Sequence, residues 1–397
     1  MTKIARTAWA AVALFVVIAA QAVSAVRAEE PVKIGVILPY SGVYASLGGE
    51  ITQGLELGFE TYGPEVAGRA FELITEDSEV KPNVGLSKVK KLVFRDKVDL
   101  LVGPVASNVA NALRDFVHQQ KLPLVIPNAG NNLLTGERCS RWVIRTSFSN
   151  AQITRGMGRW LVEHGYDSVY LIAADYAAGH QMMDAFRETY TAAGGSIAGE
   201  SFPALRGTKD FGPFLAQIKA AAPKAVFAFF AGGQAIQFVK QYEEFGLKES
   251  IKLTGAGWLT SPLYVEAQGP AAAGILGILN YVPGIDNPEN QAFQEAYQAK
   301  YGRVASEFAV QGYDTARLIV EALALTGGDT SDKDAVVDAM HQVAFDGPRG
   351  PLKIDPATNN IVQDIHIFET EPGADGMDLK VIDTLGAMQD PPNGCTL

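Results

Sequence analysis

The residues best placed to do chemistry sit in six short loops, each following an apolar run. Pro39 to Gly49 is rich in Ser, Gly and Tyr. Leu100-Leu101-Val102 runs into Gly103-Pro104-Val105-Ala106-Ser107-Asn108, and Leu124-Val125-Ile126 into Pro127-Asn128-Ala129-Gly130-Asn131-Asn132. Further on come Ala174-Asp175-Tyr176-Ala177-Ala178-Gly179, then Ala231-Gly232-Gly233, then Gly255-Ala256-Gly257-Trp258. Small residues let backbone N–H groups approach a ligand, and a loop that feeds a helix adds the partial positive charge of the helix N-terminus. Ser107 and Ala129-Gly130 together would suit a carboxylate; the competing role for Ser107 is a plain helix N-cap. Tyr40, Tyr44, Tyr176, Phe230, Trp258 and Tyr281 stand at or beside the ends of these runs. Rings with a few polar groups describe a small-molecule site, although core or surface packing explains each ring taken singly.

Catalytic patterns are weak by comparison. The chain has no GxSxG elbow, no GxxxxGK[ST] loop and no HExxH helix. His118, His164, His180, His341 and His366 are scattered, and no pair has metal-ligand spacing. His180 alone follows a candidate loop, where a hydrogen bond to a ligand acid and a solvated surface position are both open. Glu76-Asp77 resembles an acid/base couple, but neighbours on a strand face opposite ways, so a solvated edge is the better reading.

The elements that must hold these loops alternate strand and helix. Val32 to Leu38 is a β-branched run suited to a buried parallel strand, with helical spacing from Glu50 onward. Ala70–Thr75 is read as a strand and Val84–Phe94 as a helix, and the runs at Leu100 and Leu124 flank the helix Val109–Gln119. A second series follows Arg145. Its helices are Ile153–His164, His180–Ala193, Phe211–Ala221 and Gln234–Phe245, and its strands are Ser168–Ala173, Ala225–Phe230 and Ile251–Thr254. Helices at Pro288–Tyr301, Gln311–Thr326 and Thr330–Val343 come next, then Leu352–Ile354, a turn at Asp355–Asn360 and a strand at Asp364–Phe368. Two βαβ series predict two similar α/β lobes, with ligands at the carboxyl ends of the strands.

Residues 1–28 read as a cleavable export signal. Lys3 and Arg6 supply the charged start, Ala8 to Ala22 the apolar stretch, and Val26-Arg27-Ala28 the cleavage positions. The apolar stretch falls short of the roughly 20 residues of a membrane span. Of the 33 basic residues, three lie in this signal; the 30 that remain face 44 acidic ones, a net charge of −14. That balance argues against nucleic acid and anionic membrane as partners. Cys139 and Cys395 are the only cysteines, and in an exported chain they are expected to pair.

Taken in order, the segments IGVILPYSGVYASLG, LLVGPVASNVANA, LPLVIPNAGNNLL, RTSFSNAQ, DYAAGHQ, AVFAFFAGG, LTGAGW and FAVQGYDTARLIVEAL resemble the branched-chain amino acid-binding family of periplasmic solute-binding proteins. These are the type I two-lobed receptors of ABC importers. The resemblance spans nearly the whole mature chain and rests on order and spacing. It implies an α/β type I periplasmic binding protein fold, with two Rossmann-like lobes joined by three crossovers near Arg145–Ser149, Asn280–Gly284 and Gln363–His366. The implied division is 29–146 and 283–364 for lobe 1, and 147–282 and 365–397 for lobe 2 with the C-terminal tail. By position, Ser107 matches the family's carboxylate-binding serine. Asn128, Ala129 and Gly130 match a loop that contacts ligand through its main chain, and Tyr176 matches a tyrosine that reaches into the cleft. Tyr44, Ala106, Gly257, Trp258 and Tyr281 complete the candidate ligand-binding set.

One departure bears on the ligand. Amino acid receptors of the family carry an acid on a second-lobe loop to pair with the α-ammonium group, and here that loop reads Thr254-Gly255-Ala256-Gly257-Trp258-Leu259-Thr260. An unpaired buried ammonium costs several kcal/mol, so a ligand without an α-amino group is expected. DYAAGH and SFSNAQ are similar to the family's aromatic-carboxylate subgroup, which points to a benzoate or phenylpropenoate type. The expected protein is a non-enzymatic periplasmic receptor with no cofactor and no metal, whose partners are a small molecule and ABC permease subunits. The alternatives are a receptor for amino acids, amides or urea, with Asp175 or Glu50 supplying the missing charge, a ligand-sensing partner of a membrane receptor, or an exported Rossmann-like enzyme.

Overall fold

The computed structural model describes residues 30–374, 376–391 and 393–397. The export-signal reading of residues 1–28 therefore lies outside the described residues. The chain opens with β1 (Val32–Leu38), whose β-branched residues are buried on both faces. It is followed by α1 (Ala45–Tyr62), β2 (Glu65–Val66), β3 (Arg69–Asp77), α2 (Pro82–Lys91), β4 (Leu100–Val102), α3 (Ser107–Gln120), β5 (Leu124–Ile126) and β6 (Val143–Arg145). These strands form one sheet in the order β2-β3-β1-β4-β5-β6, parallel except for the short β2–β3 pairing. β1 lies inside this sheet, between β3 and β4, so the loops after β1, β4 and β5 open on the same edge.

α1 starts at Ala45 rather than Glu50, after a 3-10 turn at Gly42–Tyr44. Leu47 and Ile51 are buried, and that packing carries the helix through Gly48 and Gly49 against their low propensity. Much of the expected first loop is therefore helix.

The second series comprises α4 (Asn150–Glu163), β7 (Ser168–Ala173), α5 (Ala177–Ala192), β8 (Ser196–Ser201), α6 (Gly212–Ala221), β9 (Ala225–Phe229), α7 (Gly233–Glu244), β10 (Lys252–Ala256), α8 (Val265–Gln268) and β11 (Leu276–Leu279). The chain then forms α9 (Pro288–Tyr301), α10 (Glu307–Leu325), α11 (Lys333–Gln342), β12 (Ala344–Gly347), β13 (Gly350–Ile354), β14 (Ile361–Pro372) and β15 (Met377–Met388). β8-β7-β9-β10-β11 are parallel, and β14 and β15 add antiparallel strands beyond β11. α9 and α10 return to the first half, where Phe293, Tyr297, Val310 and Tyr313 share a cluster with Leu57 of α1.

The crossover segments are bound to one another. Arg349 is fully buried; it donates to Gln363 Oε1 (2.6 Å) and the Thr146 carbonyl (2.9 Å), and it pairs with Asp314 (2.7 Å). Asn280 donates to the same Gln363 oxygen (3.0 Å) and to the Ser147 carbonyl (3.2 Å). All three crossovers thus share one hydrogen-bonded knot. Cys139 and Cys395 form a disulfide, which ties the tail after β15 back to the segment before β6. Among the described residues, no helix is long and apolar enough to cross a membrane.

Candidate functional site

The loops at the carboxyl ends of both sheets face each other around a small cavity, lined mostly by apolar and aromatic side chains with a few polar groups, as ligand sites usually are. Six rings wall it: Tyr44, Phe148, Tyr176, Phe229, Trp258 and Phe308. Phe148 and Trp258 lie 4.7 Å apart between centroids, and Phe229 meets Trp258 edge-on at 5.8 Å. The polar lining is Ser107, Asn128 and Asn150 with the tyrosine hydroxyls, and among the described residues no charged side chain takes part.

At one end stands the start of α3. Ser107 is the first helical residue and Ala106 the N-cap, with no side-chain capping bond. The N-cap alternative for Ser107 is thereby corrected. Its hydroxyl instead accepts Asn150 Nδ2–H (3.2 Å), which leaves its own proton to be donated elsewhere. The first-turn N–H groups of a helix have no intrahelical acceptor. Here Val109 N–H is taken by the Asn108 side chain (3.0 Å).

Across the cavity, Tyr44 of the first half donates to the Tyr176 hydroxyl of the second at 3.2 Å. Burial pushes Tyr44 up to about 12 and Tyr176 well above the usual tyrosine range, so both keep their protons. Gly232, in the loop before α7, approaches so closely that a Cβ there would stand 2.5 Å from the Val43 carbonyl oxygen; its φ of +57° also favours glycine. The two halves are in contact around the cavity.

Of the sequence-predicted set, Tyr44, Ser107, Asn128, Gly130, Tyr176 and Trp258 line the cavity. The other four do not. Ala106 and Ala129 lie beside the wall, and the Ala129 N–H is donated to the Pro104 carbonyl (3.1 Å), which removes it from any ligand. Gly257 faces the sheet, where an added Cβ would meet Leu279 at 2.7 Å. Tyr281 is fully buried in the α9–α10 cluster and donates to Asn290 Oδ1 (2.7 Å). Tyr40 bonds Thr52 (2.8 Å), and Phe230 packs on Phe211 and Phe238 in the core.

His180 is surface-exposed, bonded to Asp175 (2.8 Å) and stacked on Phe202. Glu76 pairs with Lys88 (2.7 Å), and Asp77 accepts the Tyr40 N–H (2.9 Å), so this couple is structural rather than a solvated edge. Asp175 and Glu50, the possible sources of a charge for an ammonium, do not line the cavity. Phe148, Asn150, Phe229 and Phe308 are lining residues the sequence reading did not single out, although each falls in a segment quoted for the resemblance.

Two α/β halves meeting on such a cavity define a two-lobed ligand-binding protein. The family described as "Periplasmic binding protein" matches residues 31–376. Leu/Ile/Val-binding protein homolog 6 of Brucella melitensis is 32% identical over 381 residues, 95% of either chain. A solute-binding protein of an ABC transporter from R. palustris, solved with benzoate, is 35% identical with a TM-score of 0.88, covering 92% of this chain and all of that one. Another, from Rhodopseudomonas palustris BisB5 with 3,4-dihydroxybenzoic acid, is 34% identical with a TM-score of 0.87, covering 91% and 99%. The chain belongs to the periplasmic binding protein family, within its Leu/Ile/Val-binding type.

Proposed function

We propose that this protein is the periplasmic receptor of an ABC importer for an aromatic carboxylate that lacks an α-amino group. Its two lobes, divided as 29–146 with 283–364 and 147–282 with 365–397, close over the ligand by hinge motion about the Arg349–Gln363 knot and present it to the permease subunits. The observation that carries this reading is the lining itself: six rings, a serine at a helix start and no carboxylate. A ring stacked among aromatic walls gains roughly 0.5–1.5 kcal/mol per pair beyond burial. The ligand carboxylate would meet the Ser107 hydroxyl, the first N–H groups of α3 and the Gly130 main chain. An ammonium group would find no counter-charge, which speaks against an amino acid even though the curated relatives are named for leucine, isoleucine and valine. The benzoate and dihydroxybenzoate complexes of similar proteins support the same ligand class. No step of this role requires bond chemistry, and the reading is of a receptor rather than an enzyme.

Trp258 reports directly on the proposal. Its indole is 3% exposed, and its Nε1–H has no partner among the described residues. Titration with benzoate is expected to quench or shift the tryptophan emission, and Trp258→Ala is expected to remove most of that change. An emission change of the same size in the variant would place the ligand elsewhere.

A further inference from the structure

The two halves touch through several polar contacts around the cavity. Tyr44 meets Tyr176, Asn150 donates to the Ser107 hydroxyl (3.2 Å), and Gln181 of α5 donates to Asn131 Oδ1 (3.0 Å) while accepting the Asn132 N–H (3.0 Å). These are neutral, whereas one further contact contains an acid. Glu307, the first residue of α10, is fully buried and accepts the Ser261 hydroxyl at 2.9 Å. Ser261 belongs to the segment after β10, whereas α10 packs on α1, so this bond spans the two halves. The second Glu307 oxygen has no hydrogen-bond partner among the described residues. Nearby Glu50 of α1 is also buried but differently supplied, since it pairs with Arg303 and accepts the Ser306 hydroxyl (2.7 Å). The cation at this corner is thus engaged by the other acid. Phe308, the next residue along, lines the cavity.

We propose that Glu307 is a proton-dependent latch: the halves close over ligand with its carboxyl protonated, so ligand capture near neutral pH takes up a proton from solution. The inference rests on the reading that the halves part and close, but not on which ligand they hold. A carboxylate with a single side-chain donor, no cation of its own and a second carboxylate nearby is poorly stabilised out of water. Burial pushes Glu307 up to about 8, opposed by the Ser261 bond and its own backbone N–H and reinforced by Glu50. When the halves part, water reaches the group and it returns toward the ordinary glutamate value of about 4.3.

The closed form therefore holds the proton more tightly than the open one. Closure is fully favoured below about 4.3 and weakens as pH rises toward about 8, by up to tenfold per unit. The other ionisable side chains facing Glu307 are Glu50 with its Arg303, Tyr264 and Tyr281. Burial raises both tyrosines far enough that they stay neutral through this window.

The test is calorimetry of benzoate binding at pH 7 in buffers of different ionisation enthalpy, together with the Kd at pH 6 and 8. If leucine proves to be the ligand, the same measurements on leucine test the latch, which separates its failure from failure of the aromatic reading. The wild type is expected to take up about one proton per ligand and to bind about tenfold or more weakly at pH 8 than at pH 6. Glu307→Gln, which keeps the neutral shape, is expected to bind with no proton uptake and a flat Kd. Ser261→Ala, which removes the one side-chain donor, is expected to extend the uptake to higher pH. No uptake in the wild type, or undiminished uptake in Glu307→Gln, would overturn the proposal.

Discussion

Ser107 shows how a single position gains a role from its neighbours. It opens α3 without capping it, and Asn150 occupies one of its lone pairs. Gln181 in turn accepts from Asn150 at 2.8 Å, so a residue of the second half orients a hydroxyl of the first. With the halves together, the hydroxyl keeps its own proton to donate. Ser107→Ala removes a hydrogen bond to a charged group, worth about 1.5–3 kcal/mol, and is expected to weaken carboxylate binding by about tenfold or more. The melting temperature should barely move, because the serine makes no capping bond. An unchanged Kd would shift the carboxylate anchor away from α3.

At the scale of elements, the packing of α1 on α10 positions Leu47 and Phe308 in the cavity wall. The two backbones come very close: a Cβ on Gly312 would stand 2.1 Å from the Ile51 carbonyl oxygen, and one on Gly54 1.9 Å from that of Ala309. Gly312→Ala gains up to about 1 kcal/mol of helix propensity but forces backbone against backbone, where overpacking costs about 1–3 kcal/mol. The clash is expected to win, lowering the denaturation midpoint and weakening ligand binding together. A stabilised variant would show that the helices separate freely.

Legibility follows the same packing. β1, β4 and β5 are buried on both faces and read as continuous apolar runs. β8 and β15 were missed because they are half-exposed strands at the margin of the sheet, with Glu200 on one and Asp378, Lys380 and Asp383 on the other. Within the site, Tyr44, Ser107, Tyr176 and Trp258 were readable as strand-end loop residues. Phe229 was not, since neighbours on a strand face opposite sides and a one-residue choice sends Phe230 to the core. Phe148 and Phe308 enter from a crossover and a distant helix, which no local pattern reveals.

On the whole-molecule scale, the chain passes between the halves through three crossovers, and the disulfide returns the tail to the first half. Cutting a link between residues 256 apart in sequence frees a long loop in the unfolded chain. Cys395→Ser is expected to reduce stability by about 2–4 kcal/mol, read as a lower denaturant midpoint that reductant no longer changes. Equal midpoints for wild type and variant would show that the tail contributes nothing to the fold.

The central claim, that the cavity between the halves holds an aromatic carboxylate without an α-amino group, is tested most directly by calorimetry on ligand-free protein. The panel is benzoate, a coumarate-type acid, leucine, phenylalanine and urea. Saturable heat from an aromatic acid, with none from leucine or phenylalanine, is the expected result, because the lining offers rings and a carboxylate anchor but no counter-charge for an ammonium. Tight binding of leucine with no response to either aromatic acid would contradict it.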